Sequence, residues 1–80
     1  MRVRLFAALR EVAGTSWLED ESAPDVDALV RSLAARFGPE FERVVRAGTV
    51  VVNGEPVQPG TPLHGDDEVT LLPPVSGGAR

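Results

Sequence analysis

Asp25-Val26-Asp27-Ala28-Leu29-Val30-Arg31-Ser32-Leu33-Ala34-Ala35-Arg36-Phe37 reads as the main helix of this 80-residue chain. Val26, Leu29, Val30, Leu33 and Phe37 recur at i, i+3, i+4, i+7 and i+11, lining one helical face, while Arg31 and Arg36 fall off that stripe. Asp25 stands where its side chain can accept from the unpaired N–H groups of the first turn. Gly38-Pro39 stops the helix, because Gly accepts the terminal left-handed geometry and Pro opens a new segment. A short second helix is expected through Phe41 to Val45, closed by Ala47-Gly48.

Strand patterns lie on both sides of that helix. Arg2-Val3-Arg4-Leu5-Phe6-Ala7 alternates with period two, which sets Val3, Leu5 and Ala7 on one face and Arg2, Arg4 and Phe6 on the other. Leu9 to Ala13 suits one helical turn ended by Gly14. Thr15 to Glu19 forms a second strand, in which Trp17 is read as half-buried, and the acidic turn Asp20-Glu21-Ser22-Ala23-Pro24 follows it. Downstream, Thr49-Val50-Val51-Val52 is a β-branched run into Asn53-Gly54, a strong hairpin signal, with Glu55-Pro56-Val57 returning as a short edge strand. The turn-rich stretch from Pro59 to Asp67 leads to a last strand, Glu68 to Leu72.

Strands before and after one amphipathic helix imply an α+β domain over residues 1–72, a mixed four- to five-stranded sheet packed on that main helix. Only one sheet face then needs to be apolar. Phe6, Val51 and Leu72 fall out of phase with the core sets Val3/Leu5, Val50/Val52 and Val69/Leu71. If the first, last and third strands are neighbours, these three residues form an exposed apolar patch suited to a partner interface.

Composition excludes several classes of function. Eighty residues bury roughly 60 to 65% of the unfolded surface, enough for one core. A net charge of −4 with scattered acids leaves no basic stripe for nucleic acid or an anionic membrane. No apolar run reaches the ~18 residues of a membrane span, and the start lacks the apolar segment of a signal peptide, so a cytoplasmic location is expected. The chain has no Cys, and His64 is its single His, which leaves no thiolate, metal centre or nucleophile–base pair; no bound metal or cofactor is expected. The acids around Asp20 and Asp66 do not fit a calcium loop and read as solvated turns. All eight basic residues are Arg, so no side-chain amine is present for an isopeptide or Schiff base.

What remains is the C-terminal segment, Pro73-Pro74-Val75-Ser76-Gly77-Gly78-Ala79-Arg80. The prolines lack backbone donors and fix φ, so the last strand must end there and the chain leaves its sheet. Ser76-Gly77-Gly78 has almost no side-chain bulk and can thread a narrow channel. A Gly pair alone is weak evidence, since it arises by chance at roughly 0.5% of positions. The succession of strand, double Pro and small residues gives it meaning. The available chemical handle is the C-terminal carboxylate, which becomes an electrophile once converted to a mixed anhydride such as an acyl-adenylate; a glycyl terminus would suit that chemistry by leaving the acyl carbon unhindered.

The whole chain resembles the MoaD/ThiS superfamily of ubiquitin-like sulfur carriers, on its molybdopterin synthase small-subunit side. VRLFAALREVAGT at residues 3–15 is similar to the family's opening strand and turn, and VVVNGEPVQPGTPLHGDDEVTLLPPVSGG at 50–78 to its C-terminal half. The resemblance implies a β-grasp fold. It also implies that Gly78 is adenylated, with ATP, by a MoeB-type ubiquitin-activating-like enzyme and then thiocarboxylated. Its sulfur would pass to cyclic pyranopterin monophosphate in a complex with a MoaE-type large subunit, the carrier being no enzyme on its own. Gly77 matches the penultimate glycine, Pro73, Pro74, Val75 and Ser76 the threading segment, and Phe6 and Leu72 the apolar positions of the interface. Ala79-Arg80 departs from the usual Gly-Gly end, so a protease is expected to expose Gly78. The same residues are compatible with a protein modifier, a carrier for another pathway, or an interaction module with an inert tail.

Overall fold

The structure is a computed structural model that describes residues 1–19 and 23–74. In chain order it contains β1 (Arg2–Leu5), α1 (Ala7–Ala13), β2 (Trp17–Glu19), α2 (Val26–Phe37), α3 (Pro39–Ala47), β3 (Thr49–Val52), β4 (Glu55–Val57) and β5 (Glu68–Leu72). The five strands form one mixed sheet in the order β2-β1-β5-β3-β4, with β1 and β5 parallel and the other pairs antiparallel.

α2 starts as its sequence dictates: the Asp25 carboxylate accepts from the Ala28 N–H at 2.8 Å, satisfying one orphan donor of the first turn. It ends at Gly38, φ 102°, whose N–H donates to the Ala34 carbonyl at 2.7 Å, and Pro39 opens α3. Val26, Leu29, Val30 and Leu33 are buried, and they share one cluster with Phe41 and Val45 of α3 and with Val3, Leu5, Val69 and Leu71 from the inner sheet face. Arg46 bonds Glu42 on its own helix and Asp27 on α2, tying the helices together. These groups are more than a third exposed, so the ion pairs add only a few tenths of a kcal/mol each.

Two expectations are corrected. β1 stops at Leu5: Ala7, expected on the strand's core face, begins α1 with φ 52°, and Phe6 is the residue preceding that helix. The alternation continues through Ala7, but burial of Leu9 turns the chain over the core first. β2 is shorter than expected, because Thr15 and Ser16 form a turn in which the Thr15 hydroxyl bonds Trp17. The turn-rich loop from Pro59, as expected a connection to β5, is also bound to α2. Its Pro59 and Thr61 carbonyls accept from the Asp27 and Val26 N–H groups at the start of α2, and Leu63 enters the core.

At the β3–β4 hairpin Asn53 and Gly54 both take positive φ, 51° and 86°, as a two-residue turn demands. The Asn53 side chain then reaches across to donate to Asp67 and accept from the Glu68 N–H, stitching the hairpin to the approach of β5.

Candidate functional site: the outer sheet face and the exit of the chain

Because Val3, Leu5, Val69 and Leu71 point inward, their neighbours in each strand point out. The register places Trp17, Arg4, Thr70, Val51 and Pro56 in one row across all five strands. One step toward the end of β5, Leu72 stands opposite Thr49, and Phe6 follows Leu5, whose partner is Leu71. The strands that carry Phe6, Leu72 and Val51 are therefore neighbours, β1-β5-β3. All three residues are half-buried rather than fully exposed. The Arg4 guanidinium lies 5.1 Å from the Phe6 ring centre.

Trp17 was expected half-buried. It instead keeps 36% of its surface exposed on this face. Arg2 lies over its ring at 4.1 Å and Arg4 at 5.0 Å, so the apolar patch is flanked by an aromatic side chain with two guanidinium groups against it. Arg2 also approaches Glu19 at 3.9 Å, whereas no carboxylate lies within ion-pair distance of Arg4 among the described residues. The alternation of Arg2, Arg4 and Phe6 was the available signal for this cluster. A three-residue strand was too short to fix the phase of Trp17.

The chain leaves the sheet at the same corner. Leu72 is the last paired residue of β5, Pro73 is half-buried and Pro74 is exposed. Val75, Ser76, Gly77 and Gly78, with Ala79 and Arg80, lie outside the described residues, so the segment expected to thread and the glycine expected to react are placed by sequence alone.

Elsewhere the chemistry is structural. His64 is exposed in its turn, where its backbone N–H donates to the Asp67 carboxylate at 2.8 Å. That bond, followed by the one from Asn53, holds the Asp67 carboxyl below its ordinary range. A cavity of about 510 Å³ on the helix side has aliphatic walls that include Val26, Val30, Val45 and Val57; its one charged residue is Arg46, already paired. Among the described residues no group of three His, Asp or Glu assembles to hold a metal ion, and no helix is long and apolar enough to cross a membrane.

A five-stranded mixed sheet with three helices, the main one packed across it, is the architecture of ubiquitin-like β-grasp proteins. SAMP1 from Haloferax volcanii is similar at 33% identity over 98% of both chains, with a TM-score of 0.76. A putative molybdopterin converting factor subunit 1 from Pyrococcus furiosus is 26% identical over 92% of this chain and 95% of its own, TM-score 0.75. A chain of the Amycolatopsis orientalis BexX/CysO complex is 26% identical over 96% and 98%, TM-score 0.78. No curated protein sequence matches. The chain belongs to the ThiS family, whose profile matches residues 3–78.

Proposed function

We propose that this protein is a sulfur carrier whose reacting atom is the carboxyl carbon of Gly78, and that its sulfur goes to cyclic pyranopterin monophosphate in molybdopterin synthesis. The observation that carries the carrier reading is the extent of the family match, which runs to Gly78 and stops before Ala79-Arg80. Removal of the residues after Gly78 frees a carboxylate. Its oxygen attacks the α-phosphorus of ATP, the bond to pyrophosphate breaks, and an acyl-adenylate forms on the activating enzyme. Hydrosulfide then attacks the acyl carbon, and AMP leaves with the original oxygen. A thiocarboxylate remains.

The outer sheet face would supply the affinity and the tail the chemistry. Phe6, Val51 and Leu72 would seat on the activating enzyme and, in turn, on a large synthase subunit, while Pro73 to Gly77 cross to the active site. The pterin as acceptor is supported by the likeness to the Pyrococcus converting factor subunit.

The likeness to SAMP1, named a small archaeal modifier protein, favours a second reading, in which activated Gly78 is joined to a lysine of another protein. Co-expression with the chain's own activating enzyme and a sulfur source, followed by intact mass measurement, tests the first. Loss of Ala79-Arg80 with one oxygen replaced by sulfur is expected, and an unchanged mass would refute it. Deleting Gly78 should abolish sulfur transfer with the circular dichroism spectrum unchanged. Adducts that survive denaturant and depend on Gly78 would establish the modifier.

A further inference from the structure

Gly48 joins α3 to β3 at the corner where β5 gives way to the tail. Its N–H donates to the Val44 and Val45 carbonyls, both at 3.1 Å, and the next residue, Thr49, is the partner of Leu72. Its φ of −98° lies outside the left-handed region that favours glycine. The requirement is spatial instead. A Cβ on residue 48 would stand 2.0 Å from the Leu72 carbonyl oxygen and 2.9 Å from the Pro73 carbonyl carbon. Both are main-chain atoms, so no side-chain rotation can relieve the overlap. Gly14, Gly38, Gly54, Gly60 and Gly65 all face open space, which leaves Gly48 as the described glycine whose missing side chain a neighbouring backbone occupies.

We infer that Gly48 is a positioning residue for the tail: its bare Cα lets Leu72-Pro73 lie against the end of α3, and that contact sets the direction in which the reacting terminus departs. Pro73 and Pro74 have fixed φ, so they carry a change of direction outward instead of absorbing it. Any side chain at 48 moves the Leu72 carbonyl and re-aims Pro73 and Pro74. Of the docking residues, Phe6 and Val51 stay in place, and Leu72 is disturbed at its carbonyl. This rests on the reading of Gly78 as the reacting end.

The test is Gly48→Ala, with Gly54→Ala as a control that strains a positive-φ turn at a distant hairpin. Adenylate formation is followed by pyrophosphate release from ATP with the activating enzyme, using protein processed to Gly78. For Gly48→Ala the carrier's KM is expected to stay within twofold while kcat falls at least tenfold. Gly54→Ala lowers the melting temperature and leaves kcat of the folded fraction unchanged. A Gly48→Ala kcat within twofold of the parent, or a loss that only follows the unfolded fraction, overturns the inference. If Gly48→Ala does not fold, Pro73→Gly frees the exit while keeping all of β5, and the same kcat loss is expected; an unchanged kcat overturns it. If the parent is not adenylated at all, the carrier reading falls. Residual dipolar couplings of the Leu72 carbonyl carbon in the full chain then decide the structural part alone, that Gly48 sets the direction of the exit, since a shift in Gly48→Ala upholds it and identical couplings refute it.

Discussion

The two faces of one sheet do different work, although they share every strand. On the inner face Val3, Leu5, Val69 and Leu71 are each 0% exposed, and their neighbours across the core are aliphatic or aromatic. One residue away along the same strands, the outer face carries Arg4, Thr70 and Leu72, none fully buried, with Trp17 and Phe6 beside them. Alternation therefore lets a small domain keep its core and its proposed recognition surface on adjacent residues with little interference. Adjacent positions should then respond to the same substitution in opposite ways.

The sharpest break comes from Leu71→Ala against Leu72→Ala. The first opens a cavity behind the sheet and is expected to cost about 2–5 kcal/mol, a large share of the stability of a domain this size. The second removes a half-buried side chain and should cost under about 1 kcal/mol, with its effect falling on partner affinity. Denaturant titration of both variants checks this, and equal losses would erase the distinction between the faces.

Phe6→Asp sharpens the contrast further. Phe6 precedes α1 and gives that helix no side-chain cap, whereas Asp is among the preferred capping residues. Gain of a cap and loss of a half-buried ring should nearly cancel, leaving stability within about 1 kcal/mol. Affinity for the activating enzyme should fall by about 1.5–3 kcal/mol, because apolar burial is lost and a carboxylate must be desolvated. Calorimetric titration showing parental affinity would remove Phe6 from the interface.

Effects at the opposite end of the sheet are smaller. Asn53→Ala loses both side-chain bonds to the approach of β5 and puts Ala at a positive φ, an expected cost of about 1–2 kcal/mol, read by thermal denaturation, with partner affinity unchanged. The acid limb is smaller still. The Asp67 carboxyl is held low in the folded state, chiefly by the His64 N–H and then by Asn53, so the unfolded chain takes up that proton first as pH falls. Its contribution is fully present above the ordinary carboxylate value near ~4, and is lost as pH drops from there through the lower folded value. Melting curves at descending pH should show this loss in the parent and a flatter response in Asp67→Asn.

Much of this was legible from local chemistry. The Asp25 cap, the Gly38-Pro39 stop, the Asn53-Gly54 turn and the double Pro each act through their own backbone, and each lies where the sequence puts it. What escaped depends on distant partners. The carbonyls of Pro59 and Thr61 meet α2 only in the folded chain, Ala7 leaves the strand because Leu9 is drawn into the core, and Trp17 turns outward onto Arg2 and Arg4. The outward phase of Phe6, Val51 and Leu72 was legible, but neither their half-burial nor the cations beside Trp17 and Phe6 were. Gly48 showed only a helix end in sequence, since its crowding comes from residues 24 and 25 positions later.

The parallel pairing of β1 with β5 has a mechanical consequence. A partner that grips the tail and draws it into a channel pulls along β5, which is bonded to β1 on one side and to β3 on the other. Tension between the start of β1 and the end of β5 loads their parallel ladder in shear, so its bonds must yield together. Peeling an antiparallel hairpin from its open end breaks them one by one. The strand that leads into the tail is thus held on both sides against being pulled out with it.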